Sequence, residues 1–214
     1  MRWTDAPDGP GWRTLSAWQH AASRDADAAT LAALAERARG RPAGSGPIVA
    51  LAWTALATAW EHVRKSELEC GGLLVGEPIV NTAGDTFPAL VHVRAGVAGV
   101  DAEATSTSLR LHTGVWDAAR AVLQPGECVV GWFHSHPGIG AFFSGTDRQT
   151  QAGFFHHPFS LGWVIDPQRR EQAWFFGPAS RVLASDAVVR LGRPAARGNT
   201  LHAPPDPWPT PPVG

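Results

Sequence analysis

The spacing of apolar positions lays out a series of elements along the chain. In IVALAWTALATAWEHVRK, which starts at Ile48, the residues Trp53, Leu56, Ala57, Trp60 and Val63 recur at helical spacing after a short apolar start. That predicts a brief strand followed by a helix of about four turns. LECGGLLVGEP is an apolar run of strand length, closed on this reading by Gly76 and Pro78. FPALVHVRAGV and STSLRLHT read as two more strands, GVWDAARAVL as a helix stopped before Pro125, and ECVVGWFHS as a strand. TDRQTQAGFF has a helical pattern, and FSLGWVIDP and EQAWFFG read as strands joined by a turn at Pro167 to Arg170. Upstream, Leu31, Leu34 and Ala38 share a helical face before Gly40 and Pro42, with RPAGSG as a linker to the strand at Ile48.

Helices interspersed among strands of this length predict an α/β or α+β fold, a mixed sheet flanked by helices. The expected organisation is an N-terminal helical appendage and linker over 1–47, a main domain over 48–193, and a proline-rich tail over 194–214 with the composition of a disordered segment. No internal repeat is visible.

Composition narrows the classes. A chain of 214 residues, 44% apolar, can bury one sizeable core and still carry a terminal segment. A formal charge of -1 and a pI near 6.7 provide no basic excess to neutralise a row of phosphates, so nucleic acid is not an expected partner. The start, MRWTDAPDGPGW, lacks the apolar core of a secretory signal, and no later stretch has about 18 uninterrupted apolar residues. A cytoplasmic protein with no membrane partner is expected. Cys70 and Cys128 each lie in an apolar run and are expected to be reduced, packed thiols. Lys65 is the single lysine against seventeen arginines, and tyrosine is absent while Ala, Gly and Pro abound, a bias typical of a GC-rich bacterial genome.

One stretch holds candidate chemistry: GWFHSHPGIGAFFSGTD, residues Gly131 to Asp147. Alternation along a strand puts His134 and His136 on one face, where both can converge on a metal ion. Two imidazoles with one carboxylate form the usual three-ligand catalytic zinc site, and Pro137, Gly138 and Gly140 can turn the chain so that Asp147 returns beside them. Ser144 to Asp147 also fits a helix capping box, which would account for that pair without a metal but leaves the histidines unexplained.

The order His134-Ser-His136-Pro-Gly, then Ser144, then Asp147, preceded by Gly-Trp-Phe and followed by Thr-Asp-Arg-Gln-Thr-Gln, resembles the JAMM/MPN zinc metalloprotease family. The flanking residues also look like those of the deubiquitinating members of the proteasome lid and signalosome. GWVIDP and ECGGLLVG extend the likeness, which covers roughly residues 48–178. The resemblance implies an MPN/JAB sandwich of the cytidine-deaminase type and one Zn²⁺ per chain on His134, His136 and Asp147. It also implies a glutamate that carries a proton between water and leaving amine, and Ser144 as a donor to the oxyanion. The family's setting for that glutamate matches Glu69 in ECGGLLVG; Glu67, two positions earlier, would point the same way on a strand, and only its distance to Gly76 speaks against it.

The implied function is hydrolysis of the bond after the C-terminal glycine of a ubiquitin-like protein, in a prokaryotic conjugation or sulfur-carrier pathway. E1-like and E2-like enzymes of the same operon would be its partners. The alternatives are a catalytically silent scaffold of the same fold and a small-molecule zinc amidase. Trp132 and Phe133 are candidates for a substrate groove or for the core, and AGVAGVDAEATSTS for a strand-adding substrate clamp or a plain loop. His156 and His157 are read as a polar helix end.

Overall fold

The structure is a computed structural model, which describes residues 13–14, 28–80, 87–99, 103–104, 109–110 and 113–192. The proline-rich tail expected over 194–214 lies outside these residues, as do most of 1–27 and half of the expected clamp.

The order of elements is β1 (Arg13–Thr14), α1 (Ala28–Arg39), β2 (Ile48–Leu51), α2 (Trp53–Val63), β3 (Gly71–Val80), β4 (Leu90–Ala98), β5 (Glu103–Ala104), β6 (Leu109–Arg110) and α3 (Thr113–Val122). It continues with β7 (Cys128–Ser135), α4 (Gly145–Phe154), β8 (Leu161–Asp166), β9 (Glu171–Phe176), β10 (Arg181–Leu183), a short 3₁₀ turn (Ser185–Ala187) and β11 (Val188–Arg190). Among the described residues, nine strands form one mixed sheet in the order β10-β9-β8-β7-β3-β4-β2-β11, with β1 paired in parallel to the end of β3. This is the mixed sheet flanked by helices that the pattern predicted.

Alternation along the strands splits the core between the two faces. Val49, Leu51, Leu74, Phe133, Trp163 and Trp174 pack with α2 on one face, while Leu73, Val75, Trp132, Val164 and Phe175 pack with α3 and Phe155 on the other. The central strands are therefore covered on both sides, as strands buried within an α/β layer are. Trp132 and Phe133 are both buried, one under each face, so neither lines an open groove.

Several expectations shift. The buried face of α2 is Ala55, Leu56, Ala59 and Val63, with Trp53 and Trp60 at its half-buried margins, and the helix runs eleven residues, about three turns. Small alanines let the helix sit close to β4, where a Cβ on Gly96 would meet the Ala55 carbonyl at 3.2 Å. β3 does not stop at Gly76 or Pro78 but runs to Val80. The Ile79 carbonyl accepts the Ala89 amide across β4, so Pro78 turns its missing N–H to the opposite side, beyond the last β7 pair at Cys128. Of STSLRLHT the described residues are Leu109 and Arg110, which form β6 in a small hairpin with β5, and Thr113, which opens α3. Helix α1, in the expected appendage, packs on the sheet: Leu31, Leu34, Ala35 and Ala38 are buried against Ile48, Ala50, Ile79, Leu90 and Leu191. Both cysteines are free, and burial pushes the Cys128 thiol up to about 12, consistent with an inert packed residue.

Candidate metal centre

Three side chains converge where β7 ends and α4 begins. His134 and His136 share a face, as alternation requires, and the His136 amide donates to Ile165 of β8 at 2.9 Å. Asp147 arrives on the first turn of α4, whose N-cap is Ser144. The capping box is complete: Ser144 Oγ accepts the Asp147 amide at 3.2 Å and Asp147 Oδ2 accepts the Ser144 amide at 2.6 Å.

The cap and the cluster use the same carboxylate. Asp147 Oδ1 lies 3.2 Å from His134 Nε2, Oδ2 lies 3.5 Å from His136 Nε2, and the two Nε2 atoms are 3.1 Å apart. All three residues are buried and form a group able to hold a metal ion. Donors about 2.0–2.1 Å from a tetrahedral Zn²⁺ stand about 3.3 Å from one another. The observed spacings bracket that edge length, and the chemistry of the set, two imidazoles and a carboxylate, suits zinc. The residues fit the group.

Electrostatics agree with a cation-seeking site. Burial opposes ionisation of Asp147, but hydrogen bonds from His134 and His136 outweigh it and hold the carboxyl well below its usual range. Burial lowers the His134 pKa, favouring the neutral imidazole that ligates metal. Burial also opposes the charged form of His136, yet Asp147, Glu69 and the Gly140 backbone together raise its pKa.

Glu69 lies in the segment ahead of β3, buried, with Oε1 3.6 Å from His136 Nε2. Ser135, which points away from the histidines, fastens that segment. Its amide donates to the Cys70 carbonyl at 2.8 Å, its Oγ accepts the Cys70 amide at 3.0 Å, and the hydroxyl donates back to the same carbonyl at 3.3 Å. Burial raises the Glu69 pKa and the nearby Asp147 charge adds to that, against the pull of His136. Glu67 is exposed and sits in a bend, so the alternation that would have made it equivalent to Glu69 does not apply. His156 and His157 follow the last residue of α4, with the His157 ring stacked on Phe159, and take no part in the cluster.

One organising residue has no counterpart in the sequence reading. Asp166, buried at the end of β8, accepts the amides of Gly138 (3.0 Å), Gly140 (2.7 Å), Gln168 (3.0 Å) and Arg169 (3.0 Å). Gly138 and Gly140 adopt φ of 80° and 97°, a region that favours glycine, so their amides can turn toward one carboxylate. The loop carrying His136 is thus tied to β8. Burial disfavours the Asp166 anion, but the four N–H donors prevail and its pKa is lowered. A depressed folded-state pKa gives stability that is present above the unfolded value of about 4 and is lost as pH falls through the folded value. Asp166→Asn should therefore lower stability by about 2–3 kcal/mol at pH 7, since an amide group leaves buried N–H donors unmatched. In urea melts the gap from wild type should narrow below about pH 4.

A family model described as prokaryotic homologs of the JAB domain matches residues 54–177. The chain belongs to the JAB family. Among relatives of this JAB chain, the NAD(+) hydrolase TcpA of Theionarchaea archaeon (strain DG-70-1) is 32% identical over 110 residues, 51% of this chain and 30% of that protein. COP9 signalosome complex subunit 5 of Gibberella zeae is 38% identical over 126 residues, 56% of this chain and 35% of the relative. The 26S proteasome regulatory subunit rpn11 of Schizosaccharomyces pombe is 32% identical over 101 residues, 47% and 32% respectively. The JAB chain thus spans about a third of the length of the curated relatives it matches. No helix among its described residues is long and apolar enough to cross a membrane.

Proposed function

We propose that the chain is a zinc-dependent peptidase or isopeptidase that hydrolyses the bond after the C-terminal glycine of a ubiquitin-like protein. The observation that carries the reading is Glu69: a buried carboxylate of raised pKa, 3.6 Å from a nitrogen of the donor set and not needed to complete that set. A scaffold has no use for such a group, and a hydrolase does.

Zn²⁺ held by His134, His136 and Asp147 would lower the pKa of a bound water to about 7 and polarise the scissile carbonyl. The chain's own residues supply the rest. Glu69 takes a proton from the attacking water and delivers it to the leaving amine, a task its raised pKa suits. Ser144 Oγ accepts the Asp147 amide with a lone pair, which leaves the hydroxyl proton to donate to a developing oxyanion. Ser144→Ala should lower stability by about 1 kcal/mol through the lost cap and the rate by about 10²-fold. Ser144→Asn, which can cap but has no hydroxyl, should restore the melting temperature and not the turnover.

The substrate class rests on the resemblance of the GWFHSHPG and SGTD segments and on the matches to the signalosome and proteasome subunits. Exposed apolar side chains flank the site and suit a peptide better than a small charged molecule. Leu68 adjoins Glu69, Ile139 follows the His136 turn, and the Phe142 ring lies 5.0 Å from that of His136. E1-like and E2-like enzymes of the same operon are the partners this reading calls for, in a bacterial cytoplasm. Fusions of ubiquitin-like proteins ending in Gly-Gly to a reporter should be cut after that tail, and a chelator should stop the reaction. No cleavage across a panel that includes the ubiquitin-like protein encoded beside the gene would sink the proposal.

A further inference from the structure

A metal-bound histidine ordinarily donates its second ring N–H to a carboxylate, carbonyl or water, and that bond fixes the ring. His134 departs from the pattern: among the described residues its buried Nδ1, like that of His136, has no hydrogen-bond partner. What lies against the ring is Trp132, two residues earlier on the same face of β7, stacked at 4.4 Å between centroids and 9° between planes. Trp132 is itself held. Its Nε1–H donates to Gln151 Oε1 at 2.7 Å, and Phe155 stacks on it at 5.7 Å and 7°.

Gln151 is fully buried and fixed in turn. Its amide NH₂ faces the carbonyls of Ser160 at 3.1 Å, Gly177 at 3.3 Å and Phe155 at 3.5 Å. It lies four residues after Asp147, one turn along the same face of α4. That helix therefore reaches the donor set twice, directly through Asp147 and indirectly through Gln151 and Trp132.

We infer that Trp132, locked by Gln151, is a positioning residue that sets the plane of the His134 ring for the metal, in place of the usual hydrogen-bond acceptor at Nδ1. The inference rests on the zinc reading above. The aromatic face excludes water from the ring and prevents its rotation, while the indole N–H bond fixes the indole along β7. Zinc affinity then depends on a residue that is not a ligand.

The test is zinc affinity of the full chain, stripped of metal and titrated against a chromophoric chelator, with tryptophan emission followed in parallel. Trp132→Leu and Gln151→Leu should each weaken zinc binding by about tenfold, the lower end of what loss of an outer partner costs. Trp132→Phe, which keeps a ring face but not the N–H, should fall between these and wild type. Zinc should also change the emission of the wild-type protein, and that change should shrink in Trp132→Phe although the metal still binds. Val75→Ala removes bulk from the same apolar cluster at a position opposite Val129 rather than Trp132, and serves as the control for general loosening. Wild-type affinity in Trp132→Leu, an emission change undiminished in Trp132→Phe, or an equal loss in Val75→Ala would each overturn the inference. A wild-type protein that binds no zinc would overturn the zinc reading itself, and the inference with it.

Discussion

Glu69→Gln is expected to reduce cleavage by about 10²- to 10⁴-fold while the metal content of the protein stays unchanged. The separation of the two readouts stems from the geometry. Glu69 stands 3.6 Å from His136 Nε2, but the ligand set of His134, His136 and Asp147 is complete without it. Glutamine keeps the size and one acceptor oxygen, so Ser135 and Cys70 can hold the segment as before, but it cannot take up a proton. Glu67→Gln, at an exposed position, should leave turnover within about twofold of wild type. Metal analysis alongside steady-state kinetics checks both variants, and loss of activity in Glu67→Gln instead would reassign the proton carrier.

Joint replacement of His134 and His136 by Ala should remove the metal altogether, from about one zinc per chain to none after dialysis. Asp147 would remain, fixed by its own capping box, but one carboxylate does not retain zinc where two imidazoles have been lost. The wild-type protein should gain about 2.7 kcal/mol of stability at zinc concentrations about 100 times Kd, because only the folded chain assembles the donors. The double variant should show no zinc-dependent shift in melting temperature. A variant that keeps its zinc would relocate the site.

Much of this centre could be read in the sequence because its parts are local. Two histidines with one residue between them on a strand must share a face, and a Ser-x-x-Asp unit at a helix start must bring its aspartate near the N-terminus. Glu69 is sixty-five residues before His134, and only the motif around it separated it from Glu67. The structure places them differently because residues 67–68 form a bend, so period-two alternation never governs them. Asp166 was hidden for another reason: an aspartate ending a strand before proline looks like turn chemistry, and its four amide partners come from two loops. The role of Gln151 depends on contacts across elements to Trp132 and three carbonyls, which no periodicity encodes.

The same limit applied to the fold. β2, β3, β4, β7, β8 and β9 were visible as apolar runs, whereas β1, β10 and β11 are two or three residues each and carry no pattern of their own. Pro78 reads as an end of β3 because a proline in a central strand costs a ladder bond, but on the side it faces β7 makes its last pair at Gly76 and β1 pairs from Ile79. The misjudged face of α2 reflects weighting by size: tryptophans suggested the core, and alanines allow the close approach.

The edge of the sheet has a consequence for how such a unit is used in evolution. β2, near the start of the main domain, and β11, at its end, are parallel neighbours, with Val49 beside Val188 and Leu51 beside Arg190. They form the margin four strands from β7, or about 19 Å at ordinary strand spacing. Both strands therefore border the rim remote from the histidines, where chain can be joined without covering the donor set, as a domain carried from one protein to another requires. In the matched relatives the aligned stretch covers only about a third of the polypeptide.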